Sequence, residues 1–127
     1  MRRKPDISLE ACSYGHVLDM ISNKWTALVI YAMEDGKIRY GEIKRRIEGI
    51  SQKMLTQTLK QLERDGLVNR KLIPAVPPIT EYSLTPLGES LLPIMKMLKD
   101  WASDHYGIVQ QARERYDGWA DQRIDYK

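Results

Sequence analysis

The stretch Ser51 to Gly66, SQKMLTQTLKQLERDG, decides the architecture. Serine is a favoured N-cap because its side-chain oxygen accepts a hydrogen bond from one of the amides left free at a helix start. Leu55, Leu59 and Leu62 then recur at helical spacing, and Gly66 can adopt the left-handed conformation that closes a last turn. The spacing predicts a helix over 52–65 with three leucines facing a core. Gln52, Lys53, Thr56, Gln57, Lys60 and Arg64 are left on the outer side. Just upstream, Tyr40, Ile43 and Ile47 predict a shorter helix broken by Gly49, so two helices meet through a tight glycine-containing turn.

Working outward, Tyr14, Val17, Leu18 and Ile21 give one apolar face over 14–21. Trp25, Leu28, Val29 and Ala32 repeat the pattern behind a Ser22 or Asn23 cap, and Gly36 ends it. Lys37-Ile38-Arg39 is long enough only for a strand stub. After Gly66 the period becomes alternating, so 67–73 and 79–84 read as strands, with the tip Pro74-Ala75-Val76-Pro77-Pro78 exposed between them. Thr85-Pro86 starts another helix, along which Leu87, Leu91, Ile94, Leu98 and Trp101 form an apolar stripe. Residues 108–116 either continue this helix or form their own, and 117–127 read as a loose tail. The order is that of a winged helix-turn-helix: mainly α with a small β-hairpin, flanked by N- and C-terminal dimerisation helices. We expect a single domain over 1–127, comprising a core at 12–85 with its wing at 67–84, C-terminal helices at 86–116 and the tail.

Composition narrows the function. A chain of 127 residues with 43% apolar and 29% charged content fits one small globular domain. Cys12 is the sole cysteine, and His16 and His105 are the only histidines, so neither a metal centre nor a cofactor is expected. Cys12 and His16 lack an orienting third group, and there is no glycine-rich phosphate loop, so an enzyme is not expected. The apolar run from Ala27 to Met33 is far shorter than the roughly 20 residues of a membrane helix. No signal peptide follows the basic N-terminus MRRKPDISLE, which points to a cytoplasmic protein with a reduced thiol.

In a helix-turn-helix the second helix lies in the DNA major groove while the first braces it. Gln suits adenine, Lys suits guanine, and the Thr methyl suits the thymine methyl. Residues near the helix start penetrate deepest, so Gln52, Lys53, Thr56 and Gln57 are candidates for bases, with Lys60 and Arg64 nearer phosphates. Ser51 belongs to the set through the helix N-terminus, whose free amides and dipole attract phosphate. Arg39 and, at the base of the wing, Arg70 and Lys71 complete it. The net charge of +3 is uninformative as a total, but ten basic residues against four acidic ones over 37–71 give +6 there and leave −3 elsewhere. A basic reading head is what phosphate attraction requires. Arg70 or Lys71 could instead pair with Glu81, according to register. A winged-helix adaptor that binds protein rather than an operator is the rival, and it would call for an apolar or acidic outer face on the 52–65 helix.

Several blocks also resemble a known family: Cys12, Asn23-Lys24-Trp25, Gly36, Arg39-Tyr40-Gly41-Glu42-Ile43, Ile50-Ser51-Gln52-Lys53-Met54-Leu55, Leu62 to Arg70, Pro77-Pro78 and Glu81 to Gly88. In this order and at these separations, over 12 to about 101, the chain resembles the HxlR-type transcriptional regulators. The resemblance implies a bacterial, dimeric, MarR-like protein that binds a palindromic operator in double-stranded DNA as repressor or activator, at the nucleoid when bound. Ser13, often proline in the family, and Tyr40, often phenylalanine, depart from the pattern.

The C-terminal stripe calls for a homodimer, because Leu91, Met95, Leu98 and Trp101 occupy more surface than a small reading head covers, the alternative being that both faces pack within one chain against the first helix and the tail. Two copies would set their reading helices about 34 Å apart, one turn of DNA. Two inputs are open. Cys12 is either an electrophile- or oxidant-responsive thiol, as the resemblance implies for some relatives, or an inert small hydrophobe. Tyr14, Met20, Trp25, Met95 and Trp101 either line an effector pocket or pack as core.

Overall fold

The structure, a computed structural model, describes residues 13–122. Helix α1 (Ser13–Ile21) is followed by α2 (Lys24–Ala32), strand β1 (Ile38–Arg39), α3 (Tyr40–Arg46), α4 (Gln52–Arg64), β2 (Val68–Ile73), β3 (Ile79–Leu84) and α5 (Pro86–Gln122). This is the winged helix-turn-helix order. Two compact units divide the chain, one up to Leu92 and one from Pro93.

The first unit is built around α4. Ser51 Oγ accepts from the Met54 amide at 3.0 Å, closing the helix start. At the other end Gly66, at φ +77°, lets its amide reach the Glu63 carbonyl at 3.1 Å and the Leu67 amide reach the Leu62 carbonyl at 2.9 Å. That pair of bonds is a Schellman closure. Between the caps, Leu55, Leu59 and Leu62 are at most 2% exposed and form the core with Val29 and Ile30 of α2 and Ile43 of α3, all fully buried. Each such side chain contributes about 1.5–3 kcal/mol by leaving water. Of the two candidate caps for α2, Asn23 is the one used, its Oδ1 accepting from the Trp25 amide at 2.8 Å.

The strand stub joins the wing, giving an antiparallel sheet in the order β1-β3-β2. Register places Lys71 opposite Glu81 and Arg70 opposite Tyr82 across the hairpin, while Ile38 and Arg39 face Tyr82 and Glu81 from the other side. The proline tip is exposed, as expected, and the Val76–Pro77 peptide is cis. Thr85 ties the sheet to α5: its hydroxyl donates to the Gly66 carbonyl at 2.6 Å and accepts from the Gly88 amide at 3.0 Å. Gly88 fits without strain, since a Cβ there would fall on the Leu67 carbonyl oxygen.

In the second unit α5 runs unbroken past residue 108 to Gln122, with Pro93 inside it. The tail expected from Asp117 is thus corrected over 117–122, which are helical; residues 123–127 lie outside the described residues. Helical spacing persists there in Tyr116 and Trp119, which the short polar segment concealed. Met95 also changes place: it is 3% exposed in the single chain and so is already covered, whereas Ile94, Met97, Leu98 and Trp101 are 54–70% exposed.

Candidate nucleic-acid interface

The helix pair is α3 and α4, joined by a turn in which the Ile47 amide donates to Ile43 and the Ile50 amide to Ile47, with Gly49 at φ +85°. Side-chain hydrogen bonds fix the pair further. The Tyr40 hydroxyl, at the start of α3, donates to the Gln52 carbonyl at 3.1 Å and lies 2.9 Å from Thr56 Oγ1. Arg46, at the end of α3, reaches the Ala32 carbonyl of α2 at 3.5 Å. One of the ten basic residues is therefore anchored against the fold.

With the leucines turned inward, Gln52, Lys53, Gln57, Lys60 and Arg64 are exposed on α4, as the helical spacing required. Thr56 is half-buried and its hydroxyl already has a partner in Tyr40. Ser51 acts as the cap, with its oxygen turned to the Met54 amide. The same helix carries Gln61, whose amide donates to both carboxylate oxygens of Asp65 at 3.2 and 3.1 Å.

The sheet divides the wing candidates between its two faces, because neighbours across a ladder share a face. Arg39 and Lys71 lie on either side of Glu81, so the alternative of pairing with Glu81 applies to Lys71 and not to Arg70. Arg70 shares the other face with Tyr82, and both line one cleft beside α4. Burial pushes the Tyr82 phenol above its ordinary range, while the neighbouring Arg70 guanidinium pulls it back; Glu63 and Tyr40 add to the upward push. Between α4 and this face lies a cleft of about 450 Å³ bounded by Tyr40, Thr56, Lys60, Glu63, Arg70 and Tyr82. Helical and strand periodicity alone placed Tyr40 and Tyr82 only as apolar residues; the signal for more was a hydroxyl on an otherwise apolar face, at Tyr40 a departure from the family's usual phenylalanine.

Other candidates stand apart from this surface. Cys12 lies outside the described residues. Of the residues named for an effector pocket, Met20 borders a cleft of about 460 Å³ whose other walls, including Asp19, Asn23, Thr26 and Gln57, are polar. Tyr14 is 67% exposed. Among the described residues no group of three or more His, Cys, Asp or Glu could hold a metal ion, and no helix is long and apolar enough to cross a membrane.

Comparison with known proteins gives a consistent result. A family model described as HxlR-like helix-turn-helix matches residues 20–110. An uncharacterized HTH-type transcriptional regulator of Methanothermobacter thermautotrophicus is 46% identical over 100 residues, 79% of this chain and 76% of that one. Among solved structures, a protein assigned to the MarR family from Porphyromonas gingivalis W83 superposes with a TM-score of 0.73 at 45% identity, covering 78% of this chain and 97% of its own. The redox regulator HypR in its reduced form superposes with a TM-score of 0.74 at 39% identity, covering 79% and 99%.

Proposed function

This chain belongs to the HxlR-like helix-turn-helix family of transcriptional regulators, and on that premise we propose that it regulates transcription by binding a palindromic operator in double-stranded DNA as a homodimer. As a member of that family it is a regulator and not an enzyme.

The observation that carries the DNA reading is the outer face of α4. Gln52, Lys53, Gln57 and Lys60 are exposed together on a helix capped at both ends. Two bidentate-capable amides and two ammonium groups suit base edges and phosphates. An adaptor would need a mainly apolar or acidic surface there, whereas this face carries one acid, Glu63, against Lys53, Lys60 and Arg64. Gln52, Lys53, Thr56 and Gln57 read bases; Ser51, Lys60 and Arg64 hold phosphate; Arg39 and Lys71 extend the basic surface along the sheet. Arg70 contributes by fixing Tyr82 beneath α4.

Dimerisation is supported by α5, where Ile94, Met97, Leu98 and Trp101 are exposed at i, i+3, i+4 and i+7, with Ile108 two turns further on. A contiguous apolar stripe of that length is unfavourable in water and favours a second copy. A DNA partner places the protein in the cytoplasm.

A redox input through Cys12 is favoured by one observation, the superposition on the redox regulator HypR. Operator release by diamide should disappear in Cys12→Ser; unchanged release would exclude the thiol. For DNA binding itself, mobility shifts with genomic fragments followed by footprinting should show protection of a palindrome. Protection with no sequence preference would reject operator binding.

A further inference from the structure

Threonine on a helix divides between two χ1 rotamers, so that one position can hold its methyl in one rotamer and its hydroxyl in the other. Unconstrained, Thr56 could offer a groove either group. The structure removes that freedom. The Gln52 carbonyl can only accept, so the single proton of the Tyr40 phenol is directed to it at 3.1 Å. The phenol oxygen must then accept in its second contact, which makes Thr56 Oγ1 the donor at 2.9 Å. Thr56 is half-buried and its hydroxyl points inward, toward α3, with its proton engaged. Tyr40 thus bridges the first turn of α4 and holds one particular Thr56 rotamer.

Resting on the DNA reading above, we infer that Tyr40 is a positioning residue for base specificity: it locks the Thr56 hydroxyl inward, so that Thr56 presents its Cγ2 methyl and selects a thymine by its C5 methyl. Tyr40 itself touches no base. Methyl against methyl is an apolar contact that uridine lacks, whereas hydroxyl readout would go through base oxygens and nitrogens that thymine and uracil share. A thymine-to-deoxyuridine change in the bound site therefore separates the two modes. Burying one methyl is worth about fourfold in affinity.

The test begins with selection of duplexes from a random library by the full-length protein. Deoxyuridine is then substituted for each thymine of the selected half-site, at one fixed salt concentration. Wild type should show one thymine whose methyl matters about fourfold. Thr56→Ser, which keeps the hydroxyl and deletes the methyl, should lose that sensitivity. Tyr40→Phe should bring the ratio toward one and broaden the base preference at that position, while its melting curve remains cooperative. Adding Thr56→Val to Tyr40→Phe should restore the ratio, because valine carries a methyl in both places. A merely structural role for Tyr40 would lower affinity evenly for all sequences. A wild-type ratio retained in Tyr40→Phe or in Thr56→Ser would overturn the inference while leaving operator binding intact. No enriched motif for wild type would overturn operator binding and the inference with it.

Discussion

Arg70 stands in register opposite Tyr82, and its guanidinium draws the pKa of that buried phenol down against the larger push of burial. Tyr82 is 7% exposed, so its ionised form is disfavoured and its proton is held above the ordinary range. The unfolded phenol ionises near pH 10. Above that point the unfolded chain binds fewer protons than the folded one, so stability falls as pH rises. The contribution of Tyr82 is complete below about pH 10 and declines as the folded pKa is approached from below. Urea unfolding across this range should show a falling limb that Tyr82→Phe flattens. Arg70→Ala, which removes the two effects pulling the phenol down, should shift its phenolate absorbance to still higher pH. An unaltered titration in Arg70→Ala would contradict the pairing.

Gly88 admits the Leu67 carbonyl where a side chain would begin, with Leu84 Cδ2 only 3.1 Å from the same point. The obstructing atom is backbone, so relief requires moving the start of α5. Gly88→Ala should cost about 1–3 kcal/mol, the range of overpacking, read as a lower urea midpoint at unchanged slope.

Lys60 is exposed on the second half of α4, and in the proposed docking it meets a phosphate rather than a base edge. Lys60→Ala should weaken binding about equally for operator and unrelated duplex. The slope of log affinity against log salt should shrink by about 0.9 for each subunit bound. Loss of discrimination between sequences would instead place Lys60 among the base readers.

Leu98 is 59% exposed in the apolar stripe of α5. Leu98→Asp should convert the proposed dimer to a monomer in sedimentation experiments without loss of helical circular dichroism. A dimer that persists would move the interface elsewhere.

Much of this was legible in the chain because it depends on near neighbours. The cap at Ser51, the leucines of α4, the glycine closure at Gly66 and the Thr85 start of α5 are all set within a few residues, and the structure has each in place. What the sequence left open depends on register and on contacts between distant residues. Periodicity cannot say whether Arg70 or Lys71 faces Glu81; a one-residue slip exchanges them. Nor does spacing reveal that Tyr40 reaches Thr56, 16 residues on. Met95 looked like a stripe member until its burial was known, and the polar run after Asp117 hid a helix that continues to Gln122.

Base reading by α4 is tested most directly at Gln57, which is exposed and whose substitution leaves the leucine core untouched. Fluorescence anisotropy should compare the footprinted palindrome with a duplex of the same composition in scrambled order. Wild type should prefer the palindrome strongly, and Gln57→Ala should lose about 1–3 kcal/mol of that preference while its affinity for the scrambled duplex is unchanged. Equal affinity of wild type for both duplexes, or no binding at low salt, would contradict operator recognition by this helix.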